Sequence, residues 1–173
     1  QGKGTYVAEH TQESSLFRFF RLREPNGETL IPETKVLASS RRAASKEERE
    51  KLNLEKKTQV VELVRLRFLQ GEPAIVEKVI QPLSVFPDID KQSELSRPLY
   101  IVYQENYGIS IVSVHDELKA TQMPGEYARE LGLKAGAPVL MVERSSINID
   151  GRVVEISHAY CRTDKFIYAV HHK

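Results

Sequence analysis

The sequence predicts an α+β domain built on an antiparallel sheet flanked by helices. Three observations predict it. Strand-like segments come in pairs around short glycine turns: residues 60–68 and 74–80 around Gln70-Gly71, and residues 139–148 and 153–161 around Asp150-Gly151. Such pairs read as hairpins, because glycine accepts the positive φ that tight turns require. The strand–helix–strand alternation that builds a parallel sheet is missing from the pattern. Finally, the segment 45–79 recurs as 124–159. Leu52, Leu54, Val60 and Arg65 match Leu131, Leu133, Val139 and Arg144 at a shift of 79, and Gly71 matches Gly151 at a shift of 80. Each copy reads helix, Leu-x-Leu, turn, strand, glycine turn, strand. The domain is therefore expected to be a pseudo-duplication of two helix–hairpin units.

The elements follow in order. Residues 1–15 are polar and contain one strand-like piece, Thr5-Tyr6-Val7. Residues 16–22 are dense in aromatics, and strict alternation puts Phe17 and Phe19 on one face. Pro25-Asn26-Gly27 reads as a turn, since proline fixes φ and asparagine or glycine accepts positive values. Residues 34–37 read as a strand. Ser45 and Glu48 form a capping box that opens a helix ending near Leu52-Asn53. After the first hairpin, Pro82 and Pro87 break the pattern. A short helix is expected within 95–105 and a strand over 107–115. Pro124 and Gly132 bracket a helix over 124–131. The second hairpin and a last strand over 166–170 complete the chain.

The bulk numbers narrow the function. The 173 residues are 40% hydrophobic and 28% charged, enough for a core without staples. With 25 basic and 24 acidic residues, net charge +1, the chain has no electrostatic footprint for nucleic acid, so DNA contact would have to come from elsewhere. The single cysteine, Cys161, allows no internal disulfide and suits a reducing cytoplasm. No apolar run approaches the ~20 residues that span a bilayer. Metal sites, phosphate loops, dinucleotide fingerprints and nucleophile elbows find no match, so no metal, cofactor or catalytic residue is expected.

The residues that carry chemistry lie on the hairpins. Arg65 and Arg67 flank Leu66, so they point to one face of a strand and form a fork suited to a carboxylate or phosphate. An exposed face of cross-strand ion pairs is the plainer reading of the same pattern. Glu77, in the partner strand, falls opposite Val64–Arg65 if the turn centres on Gln70-Gly71. Glu155, Ser157, Ala159 and Cys161 alternate onto one face of the last hairpin, a small polar surface around one acid that suits a pocket wall. Arg162 and Asp164 read as a structural ion pair.

Gly2-Lys3-Gly4-Thr5-Tyr6-Val7 resembles the G-x-G-T-[FY]-V that ends the winged-helix domain of GntR-type transcription regulators. The remainder resembles the UTRA effector-binding domain of the HutC branch of that family. The matching stretches are residues 61–67 with Gly71-Glu72-Pro73, Leu99-Tyr100, Tyr107-Gly108-Ile109, Leu131-Gly132-Leu133 and Glu143-Arg144. They continue with Gly151, Glu155-Ile156-Ser157 and Arg162-x-Asp164-x-Phe166. The resemblance implies residues 1–15 as the end of a winged helix with its linker and 16–173 as the UTRA domain. It further implies a chorismate-lyase-like fold, a cytoplasmic homodimer and a repressor whose DNA affinity changes when a metabolite binds.

By the same resemblance, Arg65 and Arg67 grip an anion, while Glu77 and Glu155 contact sugar hydroxyls. Tyr100, Arg144, Ser157 and Cys161 complete the expected effector site. Pro98 stands where sugar-phosphate-binding members carry serine, and Cys161 where they carry an aromatic. The expected effector is therefore a small anion, phosphate or carboxylate. A chorismate-lyase-like enzyme and a pure dimerisation module are the alternatives.

Overall fold

The computed structural model describes residues 19–25, 27 and 32–170. The expected wing strand and linker at 1–15, and Phe17, lie outside them. The strands are β1 (Leu22–Arg23), β2 (Glu33–Ala43), β3 (Gln59–Leu69), β4 (Glu72–Pro82), β5 (Ile111–Gln122), β6 (Pro138–Asn148), β7 (Val153–Cys161) and β8 (Ile167–Tyr168). The helices are α1 (Lys46–Leu52), α2 (Leu99–Tyr107) and α3 (Gly125–Ala128), with a 3-10 turn at Ile89–Lys91. Six strands form one antiparallel sheet in the order β2-β3-β4-β7-β6-β5, and β1 pairs with β8 as a separate two-stranded ribbon.

That order makes the internal repeat visible. The unit β2-α1-β3-β4 is followed by β5-α3-β6-β7, and the two meet where β4 pairs with β7. The duplication thus reaches one strand further upstream than the sequence match does. β2 and β5 are the two sheet edges, and both are largely exposed, so no buried face holds their sequences to a common pattern.

The capping box at Ser45 is present. The Glu48 amide donates to Ser45 Oγ at 3.2 Å, and the Ser45 amide donates to the Glu48 carboxylate at 2.8 Å. Along β3, even-numbered residues face one side. Val60 packs with Leu52 of α1, Ala44, Ile80 and Ile156, while Val64 and Leu66 pack with Ala128 and Leu131 around α3. Odd-numbered residues face the other side, where Leu63 and Val79 meet Leu99 and Tyr103 of α2 and Phe86. The central strands are therefore covered on both faces, which removes the exposed-face reading of Arg65; its side chain is buried.

Several boundaries differ from expectation. β2 and β5 run well beyond the predicted strands, because a polar edge strand leaves no alternation to read. Tyr107 ends α2 and does not open β5, since Gly108 adopts φ 66° and caps the helix with bonds to Gln104 and Tyr103 carbonyls. The helix after Pro124 is only Gly125–Ala128. Pro124 supplies no side-chain cap, and the chain reaches Gly132 (φ 64°) through turns.

Candidate ligand-binding site

The odd-numbered face of the sheet is the floor of a cleft. β3 contributes Arg65 and Arg67, β4 Glu77 and Val79, β6 Arg144, and β7 Glu155 and Ser157. Phe19 and Phe20 roof one side, and Pro98, Leu99 and Tyr100 at the start of α2 the other. Between them lies a cleft whose empty space, counted with the solvent it opens to, is about 560 Å³. A second, adjoining compartment shares Phe20, Arg67 and Arg144 and continues over Ile75, Val142, Ala159 and Cys161, beneath Leu22 and Tyr168. All eight residues expected at the site line this double cavity. Arg65, Arg67, Glu77, Tyr100, Arg144, Glu155 and Ser157 line the first compartment, and Cys161 the second.

The two strand arginines are not equivalent. Arg65 pairs in register with Glu77 across β3–β4 and holds its carboxylate. Its other Nη donates to the carbonyls of Leu95 and Arg97 at 3.2 Å each. Arg67 approaches Glu77 only at 3.8 Å and lies over the Phe20 ring at 4.7 Å. Its Nε, like that of Arg65, is buried without a hydrogen-bond partner, but Arg67, unlike Arg65, makes no hydrogen bond through its other nitrogens among the described residues. Arg65 is therefore fixed by the protein, and Arg67 faces the cavity with donors to offer. The expected symmetric fork becomes one anchored and one available guanidinium.

The charges around Arg67 are tightly balanced. Burial lowers the Arg67 pKa, with Glu77 opposing and Arg65 and Arg144 adding to the effect. Burial pushes Glu77 up, but the fields of Arg65, Arg67 and Arg144 outweigh it and hold the carboxyl below its usual range. Glu155 moves the other way: burial raises it, despite the hydrogen bonds from Tyr103 and Ser146.

Those hydrogen bonds occupy Glu155. Tyr103 donates to one oxygen and Ser146 Oγ to the other at 2.8 Å. Ser146 Oγ is also 2.8 Å from the Tyr100 hydroxyl, and the Gln81 amide donates to Tyr103 at 2.6 Å. Burial, then Glu155, pushes the Tyr100 phenol up to about 12. The acid end of the cavity is thus a chain of neutral hydroxyls ending on a buried carboxyl.

Arg144 ties the floor to the roof. Its guanidinium donates twice to Asp116 of β5 at 2.6 and 2.7 Å, and Nη2 also donates to the Phe19 carbonyl at 2.9 Å. Tyr168 of β8 donates to the same Asp116 at 2.8 Å. Asp116, Ser146, Tyr103, Gln81 and Phe20 were not among the expected residues. Period-two alternation from Arg144 finds Ser146, and helical spacing from Tyr100 finds Tyr103. Asp116 needs the β5–β6 register, which the sequence does not fix.

Outside the cavity, Arg162 makes the expected structural pair with Asp164, at 3.0 and 2.7 Å, and adds a bond to the Leu131 carbonyl at 3.1 Å. Among the described residues, no group of three or more His, Cys, Asp or Glu side chains is placed to hold a metal ion, and no helix is long and apolar enough to cross a membrane.

A polar, roofed cavity on one face of a pseudo-duplicated antiparallel sheet defines a small-molecule-binding domain. The chain belongs to the UTRA domain family, whose model matches residues 27–167. It is similar to the probable fructoselysine utilization operon transcriptional repressor of Escherichia coli K12, with 24% identity over all of this chain and 71% of that protein. It is 31% identical to the HTH-type transcriptional regulator SmoD of Agrobacterium fabrum, over 91% of this chain and 65% of that one. Among solved structures, the ligand-binding domain of a GntR-family transcriptional regulator from Bordetella bronchiseptica superposes with a TM-score of 0.82 at 26% identity, covering 90% of this chain and 98% of that one. The chain is accordingly the effector-binding domain of a GntR/HutC-type transcription regulator.

Proposed function

We propose that this domain senses a small anionic metabolite, phosphate or carboxylate, in the cavity between Arg67 and Glu155, and that it works as a homodimer in the cytoplasm. Residues 1–15 are the end of a winged-helix domain, through which alone DNA is contacted. The observation that carries the reading is Arg67: a half-buried guanidinium on the cavity wall that makes no hydrogen bond among the described residues and whose carboxylate neighbour is already held by Arg65. A partly desolvated cation left so is costly unless an anion completes it.

An anionic group would take its donors from Arg67, while neutral hydroxyls of the effector would meet Ser157 and the Tyr100–Ser146 pair. The name of the E. coli relative supports a sugar-derived effector for the same arrangement. Binding would tighten the roof, because Phe20 rests on Arg67 and the Phe19 carbonyl on Arg144. A coupling of about 1–3 kcal/mol would alter DNA affinity roughly 5–150-fold.

The test is the unfolding midpoint of the domain with hexose phosphates and hexuronic acids, each set against its neutral parent sugar. The anions are expected to raise it, by about 2.7 kcal/mol of stability at a hundredfold excess over Kd. Neutral sugars matching their anionic partners would refute the reading, and turnover of chorismate would favour the enzyme alternative.

A further inference from the structure

The second compartment, over Ala159 and Cys161, lies beyond the contacts that an anion on Arg67 and hydroxyls at Ser157 and Tyr100 would make. The sheet register fixes its floor. Val79, Ser157 and Arg144 lie abreast on β4, β7 and β6. One row on lie Glu77, Ala159 and Val142, and after them Ile75, Cys161 and Leu140. Ser157, Ala159 and Cys161 share one face of β7, since they alternate along the strand. The floor therefore passes from charges and hydroxyls to small apolar side chains within two rows. Above it Leu22 of β1 pairs with Tyr168 of β8. Leu22, Ile75, Val142 and Cys161 are all buried and belong to one apolar cluster with Leu69 and Phe166.

The polar groups around this end are engaged elsewhere. Tyr168 donates to Asp116, Asp116 holds Arg144, and Arg65 holds Glu77. Arg21, on the roof, adds its field to Asp116. Burial and Glu77 keep the Cys161 thiol protonated. Arg67 borders both compartments, so an anion on it stands at their junction. A gap lined by Ile75, Val142, Ala159 and Cys161 offers water too few partners to hold it. Close packing also makes an unfilled apolar gap costly. The group that fills it must be apolar, compact and attached to whatever Arg67 holds.

We infer that the second compartment is a subsite for a short alkyl group borne by the anion that Arg67 binds. The effector then carries its charge between a hydroxylated part facing Ser157 and Tyr100 and an apolar part over Ala159 and Cys161. This deepens the anion-sensing reading above and rests on it. Specificity divides along the floor. Arg67 selects for charge, the Tyr100–Ser146 pair for hydroxyls, and the sizes of Ile75, Val142, Ala159 and Cys161 for the length of the alkyl group.

Calorimetry of the whole chain with inorganic phosphate and with methyl, ethyl, n-propyl and n-butyl phosphate provides the test. Acetate, propionate, butyrate and pentanoate form the parallel carboxylate series. Each methylene buried in the compartment should tighten binding about fourfold, so n-propyl phosphate should bind about fifteenfold more tightly than methyl phosphate. That ratio, read within each protein, should fall toward one in Cys161→Leu, which fills the compartment. Val142→Ala enlarges it and should move the best ligand of each series to a longer chain, which keeps the inference falsifiable should Cys161→Leu fold poorly. Anions that bind equally well whatever their alkyl group would overturn the subsite and leave the anion reading standing. An alkyl gain that persists unchanged in both variants would overturn its assignment to this compartment. Binding by no anion of either series would overturn both readings.

Discussion

Arg65 and Arg67 lie two residues apart on one strand, yet replacing each by methionine should move stability in different directions. Arg65→Met leaves Glu77 buried with only a 3.8 Å contact to Arg67 and strips the Leu95 and Arg97 carbonyls of a donor. Removing one partner of a buried ion pair costs about 3–5 kcal/mol. At about 2–4 °C per kcal/mol for a domain of this size, Tm should fall by roughly 6–20 °C. Arg67→Met removes a cation whose Nε is buried without a partner, an arrangement that costs about 1–3 kcal/mol. Methionine keeps the aliphatic contact with Phe20, and Glu77 keeps Arg65. The two effects leave the ligand-free variant as stable as wild type or about 1 kcal/mol more stable, a Tm shift of 0 to roughly +4 °C. Urea denaturation followed by fluorescence or circular dichroism, with the slope m held as the check on two-state behaviour, measures both. If Arg67→Met loses as much stability as Arg65→Met, Arg67 is a structural residue and the distinction between anchored and available guanidinium is wrong.

The remaining predictions concern other parts of the molecule. Glu77 is depressed in the folded state, so its contribution is present above the unfolded carboxyl value of about 4.3 and lost as pH falls through the folded value; Glu77→Gln should flatten that acid limb of a stability–pH curve. Glu155 is raised, so its stabilisation is present below about 4.3 and lost as pH rises through its folded value; Glu155→Gln should flatten the stability–pH curve over that window. Ser45→Ala should cost about 1 kcal/mol in urea denaturation through loss of the α1 cap, with effector binding intact. Cys161, pushed up to about 12 by burial and by Glu77, should not react with a thiol reagent at pH 8 until the domain is unfolded, which a colorimetric assay reads directly.

The pseudo-duplicated antiparallel sheet was legible in the sequence because its central strands are buried. Packing on both faces preserves the leucine, valine and arginine spacing that matches at 52–65 and 131–144. The same reasoning placed Glu77 near Val64–Arg65, since a tight turn sets hairpin register, and the bulge between Arg67 and Phe68, which the sequence does not announce, brings it opposite Arg65. Where no face is buried, the pattern fails. β2 and β5 are polar edges, so their true lengths and their place in the repeat could not be read. The unequal states of Arg65 and Arg67 were equally hidden, because the carbonyls that hold Arg65 belong to Leu95 and Arg97, some thirty residues away in an irregular segment. Asp116 and the Phe19 carbonyl meet Arg144 only through tertiary placement, and no local spacing encodes that.

Titration calorimetry of wild type and Arg67→Met with the anion that most stabilises the domain tests the central claim most directly. Each charge-assisted hydrogen bond contributes about 1.5–3 kcal/mol, so loss of one or two should weaken binding by roughly ten- to a thousandfold or more, in a variant that is still folded. Equal affinity in the two proteins would contradict the account.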